Sequence, residues 1–364
     1  MKVQQIIDFL EERFPISYAE SFDNVGLIVG NANQEISSVL ITLDTLEEVV
    51  EEAIALKSNL IVSFHPIIFS GLKSLTGKTY VEKAVIKAIQ NNISIYAMHT
   101  ALDNSFDGVN AKICEILELS NRQILIPQKG TICKLDTYVP SAKADFLREK
   151  LFEAGAGNIG NYSDCSFNIN GIGSFKGNEN SQPTIGEKNK LHFEEETQIS
   201  VIFSKHLQKK ILKHLFENHP YEEVAYQIYS LENKNQHIGM GMIGELSCAM
   251  DEKEFLNFVK KKMNTQCIRH SQFLNKKIKK VAVLGGSGAF AIDNAIQAGA
   301  DAYITSDIKY HEFFKAEQKI LLADIGHYES EQFTKNLLLD EFTKKIPNFA
   351  FYLSKTNTNP INYL

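Results

Sequence analysis

The order of apolar runs and helical patterns along this 364-residue chain predicts an α/β platform in two halves with a smaller α+β unit inserted between them. Three observations lead there. Apolar runs ending in turns alternate with helix-period segments over the first third of the chain, and the same rhythm returns over the last third. The stretch between them follows a different order and contains a Gly/Asn-rich section.

In the first half, residues 38–43 (SVLITL), 60–64 (LIVSF) and 93–98 (ISIYAM) read as strands, with helices at 46–56 and 80–89. Strands separated by helices of this length need crossover connections, so the sheet should be largely parallel. In the second half, strands are expected at 280–284, 302–305, 320–323 and 349–353, with helices near 289–298, 310–317 and 330–342. The middle stretch carries a strand-like KLDTYVP, a helix near 142–154, the Gly/Asn-rich section at 155–189, a strand at 198–203, a helix at 206–218 and a strand at 223–229. One further strand inside the Gly/Asn-rich section would complete a ferredoxin-like order. The expected boundaries are 1–126 for the first half of the platform, 127–246 for the insert and 247–364 for the second half.

Composition sets limits on function. With 44% hydrophobic and 23% charged residues the chain is of ordinary globular type, and it is too long for a single core. Its apolar runs are broken within about ten positions, too soon to span a bilayer. The opening MKVQQIIDFLEERF has apolar residues at helical spacing interleaved with Asp8, Glu11 and Glu12, unlike a secretory signal. A cytoplasmic protein without a membrane partner is therefore expected. The five cysteines (Cys114, Cys133, Cys165, Cys248, Cys267) are scattered and lack a CxxC pair, which argues against disulfides and a thiolate zinc site. A net charge of −6 gives no drive toward nucleic acid, and the one basic run, residues 275–280, is short and lies beside a strand.

Chemistry-bearing residues recur just after apolar strands, where ligands gather in open α/β sheets. His65 follows LIVSF and precedes Pro66, which holds it extended. A lone His is more often a structural hydrogen-bonder than a ligand. Asp103 lies in the loop after the next strand, with His99 at the strand end; Asp107, directly before a helix, is the better placed cap, which leaves Asp103 free. His327 and Glu331, four apart at a helix start, project from one face and can chelate a cation, although an exposed pair of that spacing needs no ion. Gly285, Gly286 and Gly288 make a strand-to-helix turn whose amides could receive phosphate. Asp307, Lys309 and His311 follow a further strand, as acid, cation and base candidates or as a capping network.

In combination these segments resemble the Nif-three-like family, the type 2 GTP cyclohydrolase I homologues. The resemblance rests on FDNVGL at 22–27, HPIIFSG at 65–71, HTALDN at 99–104, the GGSGAF turn, ITSDIKYHEF and DIGHYESE, in that order. NHPYEEVAY at 218–226 and GMGMIGEL at 239–246 are similar to the CutA/PII-like insert of the family's longer bacterial members.

The resemblance implies a dinuclear metal centre, a toroidal homohexamer and a hydrolase-like activity on a nucleotide or phosphorylated compound. One ion, zinc, iron or manganese, is expected on His65, Asp103 and Glu331. The second would use His327, the bridging Glu331 and the first His of the family's His-His-Pro motif, a position occupied here by Phe64. The family's TGD is TSD here, with Ser306 in the middle. One or two ions per subunit are thus expected, with His99 or His311 as proton-transfer candidates. Gly286 and Gly288, with Lys309 or Lys73, are the phosphate-binding candidates. A regulatory hexamer that binds a metal or small effector without catalysis is the alternative.

Overall fold

The computed structural model describes residues 1–364 and divides into two compact units, Met1–Pro127 with Gln236–Leu364, and Gln128–Asn235. The first is the platform. Its opening helix, Val3–Arg13, buries Val3, Ile6, Ile7 and Leu10, the stripe that the three-four spacing predicts. A five-stranded sheet follows the order Gly26–Val29, Ser94–Ala97, Leu60–Ser63, Ser38–Thr42, Ala350–Leu353. The last four strands run parallel and Gly26–Val29 pairs antiparallel at one edge. A six-stranded sheet follows the order Arg269–His270, Leu321–Asp324, Ala302–Ser306, Lys277–Ser287, Asn235–Asp251, Ser120–Gln128. Its middle strands, Lys277–Ser287, Ala302–Ser306 and Leu321–Asp324, are parallel.

Alternation along the central strands sends side chains into separate cores. Val39, Ile41, Val62 and Phe64 enter the main core, which also takes Val281, Val283 and Ile304 from the six-stranded sheet. Leu40, Ile61 and Ile95 point the other way, onto Val49, Val50 and Ala53 of the helix Glu47–Ala55 and Ala84, Val85 and Ala88 of the helix Tyr80–Gln90. Each fully buried Leu, Ile or Val contributes roughly 1.5–3 kcal/mol, so the strands hold together through both faces. No helix is long and apolar enough to cross a membrane.

The two sheets do not divide as two consecutive halves of sequence. Ala350–Leu353 joins the first sheet beside Ser38–Thr42, and Ser120–Gln128 joins the second. Parallel edges of a sheet accept any strand of matching pattern, and local periodicity does not say which. The expected helix at 310–317 is the 3-10 segment Tyr310–Ala316, and the one at 330–342 is split into His327–Glu331 and Thr334–Lys345.

The second unit is the insert. It runs Ile132–Pro140, helix Ala144–Glu153, Ser166–Phe175, His192–Ser204, helix Gln208–Asn218, Tyr226–Leu231, and the Gly/Asn-rich section does contain a strand, Ser166–Phe175. All pairings are antiparallel, in the order Ser166–Phe175, His192–Ser204, Ile132–Pro140, Tyr226–Leu231. Leu135, Leu147, Leu151, Ile199, Phe203 and Ile211 are among the residues of its own core.

The insert ends at Asn235, eleven residues before the expected boundary at 246. Residues 236–246 belong to the platform because Met242–Glu245 pair with Lys280–Val283. Ser120–Gln128 and Asn235–Asp251 are neighbours in the sheet, and Gly239 lies against the Ile126 carbonyl. A short turn can therefore bridge the ends. Joining Pro127 to Gln236 through a few flexible residues should give a soluble, cooperatively unfolding platform. Joining Ile126 to Leu246 should not, because it removes Met242–Glu245; equal solubility and unfolding midpoints for the two deletions would contradict this placement of the boundary.

Candidate metal centre

Three of the sequence candidates converge. His65 lies two residues beyond the strand Leu60–Ser63, and its backbone N–H donates to the Leu43 carbonyl at 2.9 Å. His327 opens the short helix His327–Glu331 behind Gly326, and Glu331 lies one turn later on the same face. The imidazole Nε2 atoms of His65 and His327 each stand 3.2 Å from Glu331 Oε2. One ligand atom from each of the three residues lies within 4.8 Å of the other two. Glu331 is 3% exposed, and its Oε2 accepts no hydrogen bond.

The far side of each ring is tethered. His65 Nδ1 bonds Asp44 Oδ1 at 2.8 Å, and His327 Nδ1 bonds Asp307 Oδ2 at 2.7 Å. A carboxylate at Nδ1 fixes the ring and, in the neutral imidazole, leaves the Nε2 lone pair directed inward. Burial alone would push His65 down; the Asp44 carboxylate bonded at Nδ1 and the Glu331 carboxylate facing Nε2 outweigh it and raise the imidazole to about 10. His327 reaches about 11 by the same contest, with Asp307 and Glu331 as partners. Glu331 is held at about 2, burial notwithstanding, by the two imidazoles. The centre therefore retains positive charge, as protons or as a cation.

Gly286 forms the wall behind Glu331. Its φ is +70°, and a Cβ there would sit 2.4 Å from Glu331 Oε1. Its N–H donates to Ser330 Oγ at 2.9 Å, the Gly285 N–H goes to Asn110 Oδ1 at 3.0 Å, and the Gly288 N–H faces the Ser306 carbonyl at 3.5 Å. These amides are thus committed within the protein, so Gly286 and Gly288 do not offer the free phosphate-binding turn expected of them. The turn shapes the carboxylate's seat.

Asp103 stays outside the triad. It closes the short helix His99–Asp103, with Oδ1 buried and unpartnered, and burial together with the charge of Glu331 raises its carboxyl well above the usual range. His99 opens that helix in the left-handed region at φ +30°, a strained conformation of the kind concentrated at functional sites. Its Nδ1 bonds Asp23 Oδ1 at 2.7 Å, and its ring centroid lies 5.3 Å from that of His65. Asp23 also accepts from Thr100 N–H and Oγ1–H; burial would raise it, yet these bonds and His99 hold it at about 2.

Phe64 is fully buried in the main core and packs its ring against His65 and His99. Asp107 does not cap the following helix, whose N-cap is Gly108 without a side-chain bond; it pairs with Arg13 at 3.0 Å. Lys73, Lys309 and His311 are exposed, and the structure does not bring them into the triad. The tethering carboxylates Asp23 and Asp44 lie outside the candidates that the sequence pattern yields, although Asp44 carries the same signal as His65, a polar residue just beyond an apolar strand. A cavity of about 370 Å³ opens beside His65 and His327, bordered by Asp307, Glu329, Arg269 and Tyr363. A larger one, about 570 Å³, belongs to the insert alone.

The fold and site together define an α/β platform in which a buried carboxylate stands between two tethered imidazoles, one just beyond a strand and one on the short helix that carries the carboxylate. The family model of Duf34/NIF3 (NGG1p interacting factor 3) matches residues 1–360, and the chain belongs to this family. It is 38% identical to a Bacillus subtilis protein named GTP cyclohydrolase 1 type 2 homolog, over 99% of this chain and 98% of the relative. A Staphylococcus epidermidis protein of the same name is 34% identical over the full length of both. Among solved structures, a Bacillus cereus protein related to NIF3 matches with a TM-score of 0.86 and 36% identity, covering 100% of this chain and 99% of that one. A Staphylococcus aureus protein matches at 0.79 and 31%, with the same coverage.

Gly286→Ala should cost more stability than Gly26→Ala. Both positions have positive φ, a strain of about 1–2 kcal/mol for any other residue, but a Cβ at Gly26 meets open space whereas one at Gly286 meets Glu331. Equal losses in urea unfolding would mean that the glycine wall does not hold the carboxylate.

Proposed function

We propose that His65, His327 and Glu331 hold a divalent cation and that the protein is a metal-dependent hydrolase acting on a nucleotide or phosphorylated substrate. The supporting observation is Glu331 Oε2, buried, without a hydrogen bond and faced by two imidazole nitrogens at 3.2 Å. Such an oxygen is costly to bury unless positive charge completes it. Two imidazoles and a carboxylate suit zinc, iron and manganese. Asp103, with its unpartnered Oδ1, is the further ligand for this ion or for a second.

When bound, the ion supplies Lewis acidity toward a substrate oxygen. The chain's own groups do the rest. Asp44 and Asp307 aim the imidazoles, and Glu331 stays ionised between them. His99, held by Asp23 and flanked by the rings of Phe64 and Phe69, is the proton-transfer candidate. The names of the curated relatives make GTP the first substrate to assay. The strand order of the insert supports a ferredoxin-like unit of CutA/PII type, and a homohexamer is the assembly proposed for the whole.

Phe64 favours a second reading, a metal- or effector-binding regulatory hexamer without turnover. Its buried ring gives no donor to a second ion, and two-ion hydrolysis needs both. Turnover of GTP or another phosphorylated compound, abolished by a chelator and restored by metal, supports the hydrolase. No turnover across a broad panel by fully metal-loaded protein supports the regulator.

Elemental analysis of purified protein should find at least one ion per chain. Glu331→Ala should lose nearly all of it and Asp103→Ala part, while Asp107→Ala, whose carboxylate pairs only with Arg13, should match the unmodified protein. Equal losses in Asp107→Ala and Glu331→Ala would sink the assignment.

Cation uptake should also release protons. Without a cation the two imidazoles titrate at about 10 and about 11, so both are protonated at pH 7.5 and each must give up a proton to bind. Affinity should rise as the pH increases, and calorimetry in buffers of different ionisation enthalpy should detect about two protons released per ion. The cation-free fold has the opposite dependence. Both pKa values lie above the ordinary 6.5, so the stability from these pairs is complete below pH 6.5 and is lost as pH rises through about 10 to 11. Uptake without proton release would contradict the ligand set.

A further inference from the structure

We propose that Thr358 is a positioning residue of the centre: its hydroxyl, delivered by the irregular segment after the last strand, fixes the Asp44 carboxylate that orients His65. The link rests on the reading of the centre as a cation site. Residues 354–363 form neither helix nor strand, yet Ser354 and Thr358 are only 4% and 6% exposed. The rest of the segment is half-buried or exposed, so these two hydroxyl-bearing side chains are the points at which it turns inward, and their buried polar groups need partners in the protein.

Three carboxylates meet them. Glu52, on the helix Glu47–Ala55, accepts four hydrogen bonds, from Ser354 Oγ, Lys355 N, Thr356 N and Thr356 Oγ1. Glu329 Oε1 accepts from Asn359 Nδ2 at 3.1 Å. Asp44 Oδ2 accepts from Thr358 Oγ1 at 2.6 Å, across 314 residues of sequence.

Of the three, Asp44 is the one that also holds a triad imidazole, through Oδ1 to His65 Nδ1 at 2.8 Å. A carboxylate tied by one oxygen can rotate and carry the ring with it. Tied by both, it keeps one plane, and His65 Nε2 stays aimed at Glu331 Oε2. Docking of the segment is already served by the four bonds to Glu52. Thr358 lies beyond that anchor, just before Asn359 and Pro360, which border the same 370 Å³ cavity as His65 and His327.

The test is cobalt(II) affinity, by competition with a chromophoric chelator, together with the visible spectrum of the bound cobalt, on the full chain. Losing Asp44, the outer partner of His65, would cost about 10 to 100-fold; Thr358→Val leaves that carboxylate in place but free to turn, and should weaken binding by several-fold, up to about tenfold, and alter the spectrum. Thr358→Ser should restore both. Thr356→Val breaks one of the Glu52 bonds without touching Asp44 and should leave both unchanged. If Thr358→Val does not fold, Thr358→Ala removes the same hydroxyl without steric demand. Affinity and spectrum unchanged in Thr358→Val, or Thr356→Val as weak as Thr358→Val, overturns the link and leaves the proposed cation site standing. Unmodified protein that takes up no cobalt overturns both.

Discussion

A single carboxylate oxygen, Glu331 Oε2, organises the centre of this protein. It is buried, and the chain supplies it with no hydrogen bond. Two imidazoles face it, each turned by a carboxylate behind, so negative charge surrounds the rings on both sides. That surplus explains why both imidazoles bind protons far above the ordinary value and why Asp103 nearby does not ionise readily. A pocket that holds positive charge so strongly is suited to a divalent ion, which concentrates more charge in one place than two protonated rings can.

Keeping the carboxylate there constrains the backbone around it. Gly286 must lack a side chain, Ser330 must turn its hydroxyl to the Gly286 amide, and the helix His327–Glu331 must start at Gly326, in the left-handed region at φ +93°. His65 arrives from the five-stranded sheet, whereas His327 and Glu331 follow the strand Leu321–Asp324 of the six-stranded one. The main core takes side chains from both sheets, so the packing that stabilises the platform also sets the spacing of the triad. Strain at His99, φ +30°, is tolerated beside this core because Asp23 and the rings of Phe64 and Phe69 hold the imidazole on several sides.

The family relationship and the geometry carry different weight. The chain's membership rests on a match along 360 residues and on relatives at 34% to 38% identity. Chemistry has to be argued from the site, since one fold serves many activities. Here the site departs from the family resemblance at Phe64. The structure gives that position to the core, and His99 is the additional imidazole beside His65.

Much of the architecture was legible in the sequence because it follows from local rules. Continuous apolar runs ending in turns placed the central strands, and helix-period spacing placed the long helices. The triad His65, His327 and Glu331 was legible from the position of its members after strands and the i,i+4 spacing of the last two. Pairing over long distances was not legible. Nothing local says that Ala350–Leu353 returns to the first sheet, that the insert closes at Asn235, or that Asp107 turns to Arg13 instead of the helix it precedes. The same holds for Asp44 behind His65 and Thr358 behind Asp44, contacts 21 and 314 residues apart in sequence. Sequence by itself determined which residue types stand at the strand ends. Tertiary structure alone decided which of them meet and which amides remain free, because hydrogen bonds and charge act across a few ångströms of space whatever the distance along the chain.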